Sequence, residues 1–283
     1  MIRHHSEHSP LPRRGIVLML TLAMIVIAVT LTARTANRSL TRTLESLDAE
    51  SQLRDRWSRL SLQQAVLSHA EQIFAAVEGD QRDTPPTTWH DAEFTLAGTT
   101  YRLRLADENA KINLNTVMRT QSLDALDQFI SQSTSRSLRR EKRSPSSTEP
   151  TNTPPAPLES WGQVFPISTH SALLHATTKI TLWGNGRLNI HRATDQSLRQ
   201  LLEPLTSPTE VDALLRQSRE TTAQTQPALL AAQNSLPTGP TADLLTHTSR
   251  CHSLWIRTEA ESSTELHIRE TLTTGARTVS FRW

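Results

Sequence analysis

Residues 16–33 read IVLMLTLAMIVIAVTLTA, a run of 18 residues without a charge. A helix of that length just crosses a hydrocarbon core of ~30 Å. Arg13 and Arg14 precede it and Arg34 follows. By the positive-inside rule the leading arginines keep the N-terminus in the cytoplasm and carry the rest of the chain across the bilayer. These charges also explain the whole net charge. Residues 1–14 hold Arg3, Arg13 and Arg14 against Glu7, which equals the overall +2, so the remainder balances at 27 basic and 27 acidic residues (30 less 3, 28 less 1). A neutral body exerts no general pull on nucleic acid.

A secretory signal peptide would need a shorter apolar core and a small-residue cleavage site after it. The Ala-Arg-Thr-Ala stretch at 33–36 is a weak match, and the sequence downstream argues against removal. Apolar residues recur at Leu40, Leu44, Leu47, Leu53, Trp57, Leu60, Val66, Leu67, Ile73, Phe74 and Val77, and no Pro or Gly interrupts 16–78. Steps of three and four mark one face of a helix. The pattern predicts one helix over 16–78, roughly 90 Å long at 1.5 Å per residue. Its first third is apolar all round and its remainder amphipathic.

A basic leader ending in Gly15, followed at once by a membrane helix that continues into a stalk, resembles the type IV pilin and pseudopilin class. The resemblance implies cleavage between Gly15 and Ile16 by a prepilin peptidase and methylation of the new N-terminus. The class commonly has Glu at the fifth mature position, where this chain has Leu20. A carboxylate in the bilayer needs a partner, and in the class that partner is the amine of the subunit ahead. A tip subunit has none ahead, so Leu20 fits a tip subunit, as it also fits a chain outside the class.

After the turn-rich GDQRDTPPTTW, the stretch EFTLAGTTYRLRLADE reads as a hairpin by its alternation of Phe94 and Leu96, then Tyr101, Leu103 and Leu105. DENAKINLNT (107–116) follows. A near-copy, NGRLNIHRAT (185–194), comes after ITLWG. The shared frame is Asn, small, base, aliphatic, Asn, aliphatic. Ile180 and Leu182, then Leu188 and Ile190, predict a second hairpin about Gly-Asn-Gly. In both copies the aliphatics point inward and Asn113, Asn115 and Asn189 the other way. Each copy leads into a helical pattern, SLDALDQFI or DQSLRQLL, so the phrase reads as a strand-to-helix corner, with Thr116 or Thr194 as N-cap. HSLWIRTEA, TELHIRETL and RTVSFRW predict a terminal antiparallel meander.

DENAKINLNT and LWGNGRLNIHRATDQSLRQLL together resemble the two signatures of general secretion pathway protein K, the large minor pseudopilin of type II secretion. The likeness spans about 1–80, 93–117, 177–216 and, more loosely, 250–283. Ala110 stands where the family commonly has Gly, and His191 where it commonly has Asn. The interval 117–176 is short for the family's helical insert, and STSRSLRREKRSPSSTEPTNTPPAP within it is a Ser/Pro-rich linker that builds no core. One helix, 121–132, is expected there. A second polar, Pro-bearing run, ETTAQTQPALLAAQNSLPTGPT, separates the later helix from the final strands.

Other chemistry is sparse. His4, His5 and His8 form a solvated leader tract. Asp107, Glu108 and Lys111 read as an exposed, Lys-paired corner, short of the six or more oxygens that calcium takes. His170, His175, His247 and His252 lack HExxH spacing, and no GxSxG elbow occurs. GNGRLN lacks a phosphate-binding frame. LRREKR is a basic tether without aromatics. ATDQSLRQLLEPLTSPTEVDALLRQ has no glycine hairpin for DNA phosphates. Cys251, the single cysteine, excludes an internal disulfide.

The expected molecule is α+β: leader 1–15, transmembrane helix 16–33, periplasmic stalk 34–78, a pilin-like head over 93–117 and 177–283 with a small antiparallel sheet, and a reduced insert over 118–176. The resemblance implies a non-enzymatic tip or initiation subunit of a pseudopilus in the inner membrane, with processing at Gly15 and Ile16; calcium recurs among the family's relatives, but the residues here spell no matching ligand set, so no cofactor or metal is expected. The implied partners are other minor pseudopilins, the major pseudopilin, the peptidase, the inner-membrane assembly platform and the bilayer, with no nucleic acid. The alternatives are a minor pilin of a type IV pilus-like system and a single-pass anchored periplasmic hydrolase.

Overall fold

The computed structural model describes residues 13–80, 87–121, 123–133, 156–165, 170–222, 241–258 and 264–282. The leader with its three histidines, the linker core 134–155 and the polar run 223–240 lie outside the described residues. The chain is α+β and forms two compact units, one up to Trp57 and one from Ser58 on.

Helix α1 spans Arg13–Ser68 and passes Arg34 without interruption. It holds a segment long and apolar enough to cross a membrane, with mean hydropathy 2.2. Leu40, Leu44, Leu47, Leu53 and Trp57 are exposed on it. The expected single helix to residue 78 is corrected at its end. It breaks at His69 and resumes as α2, Ala70–Asp80. Two side chains capture the carbonyls that the ladder would use. Ser68 Oγ donates to the Gln64 carbonyl and His69 Nδ1 to that of Ala65 (3.0 Å). The His69 amide turns to Val66 O at 3.3 Å. Local side-chain bonds of this kind compete with the helical ladder.

The second unit is built on an antiparallel sheet ordered β1-β2-β7-β8-β9. Strands β1 (Trp89–Leu96) and β2 (Thr99–Asp107) form the expected hairpin. Its two-residue turn holds Ala97 and Gly98 at φ of +51° and +82°, as a type I′ turn requires. Strands β7 (Cys251–Thr258), β8 (Thr264–Leu272) and β9 (Gly275–Arg282) form the expected meander. β2 joins hairpin to meander, with Asp107 opposite His252.

Alternation gives this sheet two different faces. On one, Tyr101, Leu103, Leu105, Leu254 and Ile256 pack against Leu62, Leu67 and Phe74 from α1 and α2. On the other, Trp255, Leu266 and Ile268 meet Leu174, Trp183 and Phe281. Burying each such Leu, Ile or Phe contributes roughly 1.5–3 kcal/mol. A slip of one residue in β2 would put Arg102 and Arg104 into the first core, so the register is strongly fixed. Buried Arg59 bonds Glu265 at 3.2 Å and adds a polar tie between α1 and β8.

The predicted Gly-Asn-Gly hairpin does not form. Ile180–Thr181 (β4) pairs in parallel with Ile112–Asn113 (β3), and Leu188–Asn189 (β5) pairs in parallel with Leu245–Thr246 (β6). The two arms of the presumed hairpin thus serve two separate bridges. Helices α3 (Leu114–Thr120), α4 (Leu123–Ser133), α5 (His170–Ala176), α6 (Asp195–Leu202) and α7 (Pro208–Thr222) surround these bridges. Ile112, Leu114, Val117, Leu126, Phe165, Leu173, Ile180, Leu188 and Leu201 form the largest core there. The insert contains α5 as well as α4, which falls close to the helix expected at 121–132.

Candidate functional site

The two phrases, distant in sequence, fold against each other. Each carries the chain from an extended pair into a capped helix. Asn113 caps α3, its side chain accepting from the amides of Asn115 and Thr116. Thr194 caps α6, accepting from Ser197 N at 3.1 Å. The expected cap at Thr116 is therefore moved back to Asn113. Thr116 instead points its hydroxyl at Gly186 O, 2.8 Å away.

The three predicted corner asparagines are buried or partly buried connectors. Asn113 Nδ2 donates to Trp183 O (2.8 Å). Asn115 Nδ2 donates to Leu158 O and Leu182 O (3.0 Å each), while its oxygen accepts from Leu158 N (2.7 Å). Asn189 Nδ2 donates to Asp107 Oδ2 (3.1 Å) and Ser249 Oγ (2.8 Å), and its oxygen accepts from His191 N (3.1 Å). A fourth, Asn109, was not singled out from sequence. Its Nδ2 donates to Asn185 Oδ1 and Arg187 O, and its oxygen accepts from the amides of Arg250 and Cys251. Each phrase thus satisfies polar groups of the other, as buried polar groups require.

The Asp107, Glu108 and Lys111 corner is Lys-paired but not exposed. The three residues are 0%, 2% and 3% exposed. Glu108 accepts from Lys111 Nζ, Ser253 Oγ and Thr181 Oγ1. Asp107 accepts from Asn109 N, Asn189, Ser249 and Arg192. Three or more donors on a buried carboxylate compensate the loss of water.

Arg192, which the sequence reading passed over, is the centre of a charged hub. It forks onto Glu78 (2.6 and 3.2 Å) and reaches Glu71 (3.0 Å) and Asp107 (3.3 Å). Its guanidinium lies 4.4 Å from the centre of the Phe74 ring. Burial opposes its charge, but the hydrogen bonds to Glu78 and Glu71 prevail and raise its pKa. Burial likewise opposes ionisation of Glu71, yet hydrogen bonds from His252 (2.9 Å) and Arg192 hold its pKa at about 2. The hub fastens α2 to both phrases. The sequence signal for it is weak: a lone Arg directly after an alternating apolar stretch.

The scattered histidines find separate fates. His252 belongs to the hub. His247 Nδ1 lies 2.8 Å from His191 Nε2, and His191 Nδ1 and His247 Nε2 are buried without partners among the described residues. Burial first, then His247 and Arg192, lower the His191 pKa to about 4. His175 sits in the last turn of α5. Neither of two larger cavities, about 630 and 410 Å³, is lined by histidine. Gly15 and Ile16 lie in the first turn of α1. No group of three or more His, Cys, Asp or Glu among the described residues is placed to hold a metal ion. The chemistry this arrangement supports is polar fastening of one helix to two corners.

No protein-family model matches the chain, and no curated protein matches it. Among solved structures the chain is similar to one in the GspK–GspI–GspJ complex of the type 2 secretion system of enterotoxigenic Escherichia coli. The two are 14% identical with a TM-score of 0.38, over 82% of this chain and 98% of that one.

Proposed function

We propose that the chain is a non-enzymatic minor pseudopilin, a tip or initiation subunit of a type II secretion pseudopilus. The observation that carries this reading is α1. A helix that starts at the end of a basic leader is apolar enough to cross a bilayer and continues past Arg34 to Ser68. An anchor joined to an unrelated domain would end near the membrane surface. Here Leu62 and Leu67 of the same helix enter the core of the second unit.

In this reading the apolar third of α1 holds the subunit in the inner membrane with its N-terminus in the cytoplasm. Peptidase cleavage after Gly15 frees it for assembly. The exposed Leu40, Leu44, Leu47, Leu53 and Trp57 face neighbouring subunits, minor and major, recruited at the assembly platform. Leu20, in place of an acid, removes the need for a subunit ahead and so favours the tip.

The test is N-terminal sequencing and mass analysis of membrane-extracted protein co-expressed with a prepilin peptidase. The expected chain begins at Ile16 and carries one N-terminal methyl group. Gly15→Leu is expected to leave the leader in place. An intact Met1 in the presence of active peptidase, or a start after Ala36, overturns the reading.

A further inference from the structure

Helix α1 leaves its apolar run with three bases in one row. Arg34, Arg38 and Arg42 recur every four residues, so they lie within about 80° of one another at 3.6 residues per turn. All three are exposed, and none has an ion pair among the described residues. No acidic residue occurs between Glu7 and Glu45. Further along the same helix, by contrast, Arg54 pairs with Glu50 at 2.9 Å. Thr35, Thr41 and Thr43, interleaved with the row, donate to carbonyls of their own helix.

The height and direction of the row narrow what it meets. At 1.5 Å per residue the three bases stand roughly 2, 8 and 14 Å beyond residue 33, where the uncharged run ends. The headgroup layer on each side of the hydrocarbon is roughly 5–8 Å deep. Arg34 and Arg38 therefore reach phosphate height, and Arg42 lies within a Debye length, about 8 Å, of the surface. Around the helix the row points about 150° away from Leu40, Leu44 and Leu47. Neighbours that cover those leucines leave the arginines facing lipid. Bases on this side work against the asymmetry that orients the chain, so topology does not account for them.

We infer that this row binds anionic phospholipid headgroups of the leaflet from which the stalk emerges. Phosphodiester oxygens accept from Arg34 and Arg38, and Arg42 adds attraction at longer range. Charge complementarity selects an anionic over a zwitterionic lipid, and height selects a lipid over a soluble anion. Each base near the surface favours anionic lipid by about a factor of five. The inference rests on the membrane-crossing reading of α1.

The test places the full-length chain in nanodiscs of equal phosphatidylcholine and phosphatidylglycerol. Arg3, Arg13 and Arg14 are replaced by Gln throughout, so that the leader contributes no bases. Lipids retained on transfer to detergent are counted by native mass spectrometry. Retained phosphatidylglycerol should exceed phosphatidylcholine at least about tenfold, and the excess should shrink with added salt. Arg34→Gln/Arg38→Gln/Arg42→Gln should abolish the excess, whereas the corresponding triple Lys variant should keep a clear one. Arg54→Gln, beyond the membrane surface, should change nothing. Inorganic phosphate at matched ionic strength should not displace the lipid. Equal retention of both lipids, an unchanged ratio in the triple Gln variant, or displacement by free phosphate overturns the inference. Incorporation into nanodiscs of phosphatidylcholine alone separates the two readings. A chain that stays outside them loses the membrane reading and this inference together; one that enters but shows no lipid preference loses this inference only.

Discussion

Arg192 of the second phrase donates to Asp107, which opens the first, at 3.3 Å. The pair converts a repeated sequence into a single fastening. Asp107 is fully buried, and Arg192 is 7% exposed. Removing the guanidinium leaves Asp107 without its counter-charge and Glu78 without its fork.

Arg192→Met is therefore expected to destabilise the second unit by about 3–5 kcal/mol. Urea denaturation read by far-UV circular dichroism measures it. Arg192→Met/Asp107→Asn should recover part of the loss, because the stranded charge is gone. A double variant no better than the single would show that shape, not charge, governs the site.

Gly186 and Gly98 both have positive φ, +78° and +82°. Their surroundings differ. A Cβ on Gly186 would collide with Thr116 Oγ1 and come within 2.9 Å of Arg119 Nη2, whereas one on Gly98 meets nothing within 4 Å. Gly98→Ala should cost about 1 kcal/mol, the backbone penalty alone. Gly186→Ala should cost about 3 kcal/mol or more, because overpacking is added. Comparing the urea midpoints of the two variants separates backbone strain from crowding.

Acid should weaken the second unit in two stages. His191, held at about 4 against a usual 6.5, stays neutral where the unfolded chain takes up a proton. Its contribution is full above 6.5 and is lost as pH falls from 6.5 to 4, amounting to roughly 2 kcal/mol at pH 5. Glu71, held at about 2 against 4.5, acts lower. Its contribution is full above 4.5 and is lost as pH falls toward 2. Half of the Glu71 side chain is exposed, so solvent screens this second stage. Urea midpoints across pH should show both limbs, and His191→Asn should flatten the upper one only.

Cys251 is completely buried. Burial first, then the nearby Glu108, Glu270 and Asp107 carboxylates, pushes its thiol well up. The thiolate is the reactive form, so native protein should resist alkylation. Labelling should rise with urea in step with the circular dichroism transition. Rapid labelling without denaturant would mean that β7 opens locally.

The regular elements were legible because their signals are local. The uncharged run to residue 33, the alternation of Tyr101, Leu103 and Leu105, and the three final strands each declare themselves within ten or twenty residues. The bridges were not, because alternation in Ile180–Leu182 and Leu188–Ile190 shows that a segment is extended but not what it pairs with. Burial of Asp107, Glu108 and Lys111 was hidden for a related reason. Besides Lys111 and the Asn109 amide, their compensation comes from Thr181, Asn189, Arg192, Ser249 and Ser253, none of them nearby in the chain. The break at His69 depends on two ordinary residues, Ser68 and His69, that carry no helix-breaking reputation.

The partners of Asp107 have a consequence for biosynthesis. Ribosomes deliver Asp107 long before Asn189 and Arg192, and Ser249 later still. A chain interrupted before Asn189 offers the Asp107 carboxylate only the nearby Asn109 amide, too little to offset its removal from water. The corner opened by Asp107 therefore closes only after the second phrase has been made.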